Sequence, residues 1–258
     1  MIVSVPILVL AIAYYPQPVG QDESVWTRTV AQTSKPPVTT FARPKIAAIL
    51  DQVSIYNVNQ ELIENVRKSL GRAGYIVEVF SGPQITVDLY RGLPSRQYDV
   101  IILRVHSTMR ALELGSGRVR TDAPTVLLAG EPYSEVRYVY EQIAGQVHRV
   151  RIEAGIFFGI SAEFVAESMR GTFPGTLIVL AGCESLANKD MSKALIARGA
   201  SQVIGWSDSV GLDHNDKAIL SLARNLFEKK LSIPEAIQAT MSEIGKDPVF
   251  QSYLLHYP

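Results

Sequence analysis

Thr176–Ser185, TLIVLAGCES, is the stretch on which the fold turns. Leu177–Leu180 is apolar without alternation, the pattern of a central parallel strand buried on both faces. The run ends on Gly182 and on Cys183, the one cysteine of the chain. In open α/β sheets ligands sit at the carboxyl ends of such strands. Gly182 permits close backbone approach there, and Ser185–Ala187 reads as the opening of a helix. A helix N-terminus behind the thiol would lower its pKa and favour the thiolate. Cys183 is therefore a candidate nucleophile. The plainer alternative is a small buried hydrophobe beside a core strand.

A second stretch has the same design. Tyr98–Ser107, YDVIILRVHS, is an apolar strand from Val100 to Val105, interrupted by Arg104 and ending on His106. Two such strands in one parallel sheet bring their carboxyl ends to a common edge. His106 and Cys183 can then meet although they are far apart in the chain. A Cys–His pair needs only that juxtaposition: the imidazole takes the thiol proton and later returns it to the leaving group.

The surrounding chain supports a parallel sheet. Ile46–Leu50 reads as a strand ending on Asp51. Asn57–Gly74 carries Leu62, Val66 and Leu70 at four-residue steps and stops on a glycine, as an amphipathic helix does. Tyr75–Phe80 is a second strand, and Ile85–Arg96 a loop with a short helix before the His106 strand. This β-α-β-α-β alternation predicts a mostly parallel sheet with helices on both faces, a three-layer α-β-α sandwich. Gly115–Ile152 is less regular, with a turn at Gly115–Arg120, a short strand at Thr125–Ala129 and alternation over Gln146–Ile152. It reads as an insertion forming an accessory hairpin beside the site, with His148 as a surface side chain. Ser161 is placed as N-cap of Ala162–Arg170. Asp190–Arg198 is a helix and Gln202–Gly205 a strand, from which Trp206-Ser207-Asp208 leaves on the Cys183 edge. Asp213 is placed as N-cap of Asn215–Lys230, and Pro234 opens the helix Glu235–Ile244.

A strand ending in His, followed by a strand ending in Ala-Gly-Cys-Glu-Ser, resembles the caspase-like (clan CD) cysteine peptidases. That group includes caspases, metacaspases, legumains, gingipains, clostripain, separases and CHAT domains. Ala194–Trp206 (ALIARGASQVIGW) and Leu231–Ala239 (LSIPEAIQA) are most similar to the CHAT and gingipain-like members. The resemblance covers about Lys45 to Ile244. It implies a caspase-like fold and a peptidase in which Cys183 attacks the scissile carbonyl and His106 moves the proton. The backbone N–H groups of Cys183 and Ser107 would form the oxyanion hole. Ser107 departs from the pattern, since the family usually has glycine after the histidine. In that family the residue after the first strand often sets the preference for the side chain preceding the cut bond. Asp51 holds that position and Asp208 follows the strand after the nucleophile. With Trp206 they form the expected substrate-binding set, suited to Lys or Arg at P1. The alternative for Asp51 is a helix cap or a solvent-facing carboxylate.

Composition narrows the other classes. The 258 residues, 47% of them hydrophobic, are enough for one α/β domain with a sizeable core. Lys+Arg and Asp+Glu are both 25, so no basic surplus points to nucleic acid or to a polybasic membrane site. Residues 1–15 are apolar and read as an export signal or anchor, with Ala11-Ile12-Ala13 as a cleavage pattern. The other possibility is a buried N-terminal strand. Residues 16–44 are rich in Pro, Thr and Gln and read as a linker, leaving 45–258 as the caspase-like domain. The expected setting is extracytoplasmic, secreted or membrane-tethered, with a protein or peptide as partner. No cofactor is expected: no glycine-rich phosphate loop follows a strand. No metal is expected either, because Asp213-His214-Asn215-Asp216 sets its neighbours on different helix faces. Two other functions share this pattern. One is a non-catalytic scaffold on the same fold, favoured by Ser107. The other is an amidotransferase-like thiol enzyme, which would need His214 as its base.

Overall fold

Residues 43–109 and 124–258 are described by the computed structural model. The N-terminal segment, nearly all of the linker and the Gly115–Arg120 turn lie outside the described residues. The central sheet contains β1 (Lys45–Asp51), β2 (Tyr75–Ser81), β3 (Val100–Arg104), β8 (Leu177–Ala181), β9 (Gln202–Trp206) and β10 (Leu254–Tyr257). Their spatial order is β10-β9-β8-β3-β1-β2, and only the β9–β10 pair is antiparallel. The predicted mostly parallel sheet is therefore present. The described residues belong to the unit Arg43–Pro258, at whose start the Arg43 guanidinium pairs with Asp99 at 2.6 Å.

Alternation along the strands divides the core in two. Ala47, Ile49, Val100, Ile102, Val179 and Ile204 face α1 (Gln60–Arg72), α6 (Leu212–Ala223) and α7 (Ile233–Ile244). Ala48, Leu50, Ile101, Leu103, Ile178 and Leu180 face α2 (Val87–Gly92), α4 (Ala162–Glu167) and α5 (Asp190–Ala197). The result is a mixed α/β domain whose central sheet has helices on both faces.

Several boundaries differ from expectation. Asn59, rather than Asn57, starts α1, with its side chain accepting from Leu62 N. Gly211 rather than Asp213 is the N-cap of α6, which continues as a π-helical turn over Arg224–Glu228. Ser161 is the N-cap of α4 as expected, although its hydroxyl makes no cap bond and donates back to the Gly145 and Gln146 carbonyls, and the helix ends at Glu167 rather than Arg170. The largest difference is the insertion. In place of a lone hairpin there is a four-stranded antiparallel sheet, ordered β4-β5-β7-β6. Its strands are β4 (Ser107–Met109), β5 (Thr125–Pro132), β6 (Val147–Ile152) and β7 (Gly155–Ile160). An isolated hairpin is marginal in water. Here Leu127, Ala129, Val147, Phe158 and Ile160 join the core on the α2, α4 and α5 side, which anchors the extra sheet.

The topology also marks a location. After β1 the chain moves outward to β2 and returns on the far side of β1 to make β3. The β1–β3 boundary is thus a topological switch point, where a crevice opens at the carboxyl ends. β8 lies beside β3, so the ends of β1, β3 and β8 form one contiguous rim.

Candidate active site

The register of β3 on β8 pairs Arg104 with Ala181 at the last rung. Two residues beyond that rung stand His106 on one strand and Cys183 on the next. Two contacts show how closely these ends approach. The Ser107 hydroxyl donates to the Cys183 carbonyl at 2.5 Å. A Cβ on Gly182 would collide with the Val105 carbonyl and the Ser107 hydroxyl, so only glycine fits there.

His106 sits where the chain leaves the central sheet for the second one. Its N–H donates to Gln52 Oε1 at 2.8 Å, and its carbonyl accepts from Leu128 N at 2.9 Å. The latter bond makes Ser107–Leu127 a non-hydrogen-bonded pair of the β4–β5 ladder, so the Ser107 N–H is directed away from β5. Imidazole Nδ1 lies 3.4 Å from the Tyr56 hydroxyl, and the two rings meet edge to face with centroids 6.5 Å apart. Burial lowers the His106 pKa below its ordinary value.

Cys183 is half-buried at the edge of the α1, α6 and α7 core, and its Sγ donates to the Val210 carbonyl at 3.5 Å. No helix opens at Ser185. Residues 183–187 form a turn in which Glu184 has φ of 56°, and α5 starts only at Asp190. The turn forms because Ser185 hydrogen-bonds inward, to the Leu180 carbonyl and from Trp206 N, both at 2.9 Å. The expected helix-dipole lowering of the thiol pKa is therefore missing. Desolvation by burial raises the Cys183 pKa.

The expected substrate-binding residues separate. Asp208 is exposed on the Cys183 edge, and its carbonyl accepts from Glu184 N at 3.0 Å. Trp206 is fully buried and its indole N–H donates to Asn215 Oδ1 at 2.8 Å, which makes it a core residue rather than a pocket wall. Asp51 sits at the N-cap position of the 3-10 turn Gln52–Ile55, but its side chain makes no cap bond and does not face water. It is 2% exposed, and Oδ1 accepts from Arg104 at 2.7 Å. That carboxylate is already engaged and is not available to a substrate cation.

Arg104 is the buried centre of the rim. Its guanidinium makes five hydrogen bonds: to Asp51, to both carboxylate oxygens of Asp216, and to the carbonyl and side chain of Asn57. All five N–H donors are thereby used. The signal was present in the sequence, because an arginine inside VIILRV must be buried, and buried charge requires partners. Tyr56 and Gln52 carried no such signal, since their strand-to-helix connection has no periodicity.

A cleft of about 550 Å³ opens on the His106 side, lined by Tyr56, His106, Arg151, Ile152, Glu153 and Ala154. The insertion thus borders the site through its β6–β7 turn, as expected in outline. Cys183 does not line this cleft. His148 is half-buried rather than on the surface, and burial lowers its pKa. His214 lies in the first turn of α6 with its ring 5.7 Å from that of Trp206. Among the described residues no group of three His, Cys, Asp or Glu side chains comes together as a metal site, and no helix is long and apolar enough to cross a membrane. A scan against protein-family models and a search of curated proteins both give no match for the chain.

Proposed function

We propose that the chain is a cysteine peptidase of the caspase-like type that hydrolyses peptide bonds with a Cys183–His106 dyad. The observation that carries this is the seating of the two strand ends against each other, locked by the Ser107–Cys183 bond. His106 takes the thiol proton as the sulfur attacks the substrate carbonyl. The tetrahedral oxyanion is met by the N–H groups of Ser107 and Cys183, each such donor contributing about 10²–10³ in rate. Collapse breaks the C–N bond, and imidazolium returns its proton to the amine. Water, deprotonated by the same imidazole, then hydrolyses the thioester.

The Ser107 side chain, which stands where the family usually has glycine, is engaged with the Cys183 carbonyl through its hydroxyl. A basic P1 preference, if present, belongs to Asp208 rather than Asp51. The N-terminal apolar segment and linker suit a secreted or tethered enzyme acting on protein or peptide substrates.

The second reading is a non-catalytic scaffold on this fold, favoured by the neutral, partly buried thiol. Labelling with peptidyl acyloxymethyl ketones bearing basic, acidic and Asn P1 residues separates the two. The peptidase predicts labelling that vanishes in Cys183→Ala. No Cys183-dependent labelling by any probe supports the scaffold.

A further inference from the structure

The turn between β1 and α1 grips His106 twice. Gln52, fully buried, accepts from the His106 backbone N–H at 2.8 Å. Tyr56, four residues on, places its hydroxyl 3.4 Å from Nδ1 and its ring edge-on to the imidazole. The turn is itself held from below, since Arg104 binds both the carbonyl and the side chain of Asn57. A phenol on a turn fixed at both ends is a preorganised partner for one imidazole nitrogen. Tyr56 is nevertheless 45% exposed and lines the cleft, so core packing does not account for its placement.

We propose that Tyr56 is a positioning residue for His106, its hydroxyl oxygen accepting from Nδ1–H so that Nε2 is the basic nitrogen. The inference rests on the dyad reading for its consequence in catalysis, though the tautomer itself does not depend on it. Which nitrogen of a neutral imidazole carries the proton is set by the hydrogen bond that the other makes. A base held as the wrong tautomer has its free nitrogen facing the wrong way. Charged and titratable groups near the ring come from several elements: Arg104 on β3 two residues before it, Arg151 on β6, Glu153 on the β6–β7 turn, Cys183 after β8 and Tyr56 after β1. Among the described residues, it is the Tyr56 hydroxyl that comes within hydrogen-bond range of the ring.

The test is Tyr56→Phe, which keeps the ring contact and removes the oxygen alone. Nitrogen-15 NMR of the His106 imidazole, above the pH of its titration, reads the tautomer without any substrate. The expected result is one dominant Nδ1–H form in the wild type and a shift toward Nε2–H in the variant. With a substrate found by the probe panel, kcat should fall about tenfold with KM nearly unchanged, the loss of one neutral hydrogen bond. An identical tautomer ratio in the two proteins overturns the proposal, as does a wild type already in the Nε2–H form. A shifted tautomer in a protein that turns over no substrate leaves Tyr56 as the positioning residue and rejects the peptidase instead.

Discussion

Burial raises the Cys183 thiol and lowers the His106 imidazole, and both shifts oppose a resting thiolate–imidazolium pair. A Cys183–His106 dyad, as proposed, would therefore rest neutral, with the imidazole acting as a general base only as the sulfur attacks. Thiolate is the species that alkylating agents capture. With its pKa above the ordinary thiol range, Cys183 has less thiolate at pH 7 than a free cysteine, and the fraction grows as pH rises. Iodoacetamide should modify it more slowly at pH 7 than it modifies a short unstructured cysteine peptide. The rate should keep climbing through the alkaline range. A plateau already reached below pH 7 would show a preformed thiolate and reject the neutral dyad.

Arg104 ties three elements together: β1 through Asp51, α6 through Asp216, and the β1–α1 turn through Asn57. The register places Asp51 directly beside Arg104, so the ion pair is part of the strand pairing itself. Removing one partner of a buried pair leaves the other charge uncompensated, a loss of about 3–5 kcal/mol. Asp51→Ala should therefore lower stability by that order in urea denaturation, with the P1 profile unaltered in whatever folded fraction remains. Asp208→Ala is exposed and should change stability by less than about 0.5 kcal/mol. It is the substitution expected to move P1 preference in a fluorogenic panel. An Asp51→Ala protein of full stability with altered specificity would reverse this assignment.

Among the described residues, the buried members of both large cores lie between Ala47 and Leu254. Among the described residues, the most N-terminal tie outside them is the Arg43–Asp99 pair, beside the point where the Asp99 carboxylate accepts from Ile46 N at 2.8 Å. Truncation before Arg43 should therefore leave the melting temperature within about 2 °C of the full chain. Differential scanning fluorimetry of full-length and 43–258 proteins decides it. A drop of about 10 °C or more would mean that the apolar segment 2–12 contributes to the core.

The central architecture was legible because it rests on local pattern. LIVL and VIIL have no alternation, which only burial on both faces explains, and each run ends on a chemically distinctive residue. Tertiary structure decided what local pattern cannot carry. Ser185 leaves the helical path because its hydroxyl finds the Leu180 carbonyl and Trp206 N, partners supplied by the neighbouring strand ends. Asp51, at a place suited to substrate binding, was claimed by Arg104 because in-register strands put the two side chains on one face. Tyr56 became a neighbour of His106 through the crossing at the switch point, a juxtaposition of segments that no sequence spacing records. The sequence by itself determined the parallel strands of the central sheet and the candidate nucleophile and base, but not β4, β7 or β10. The protonation states and the partners of those groups came from burial and long-range pairing, which exist only once the sheet has closed around them.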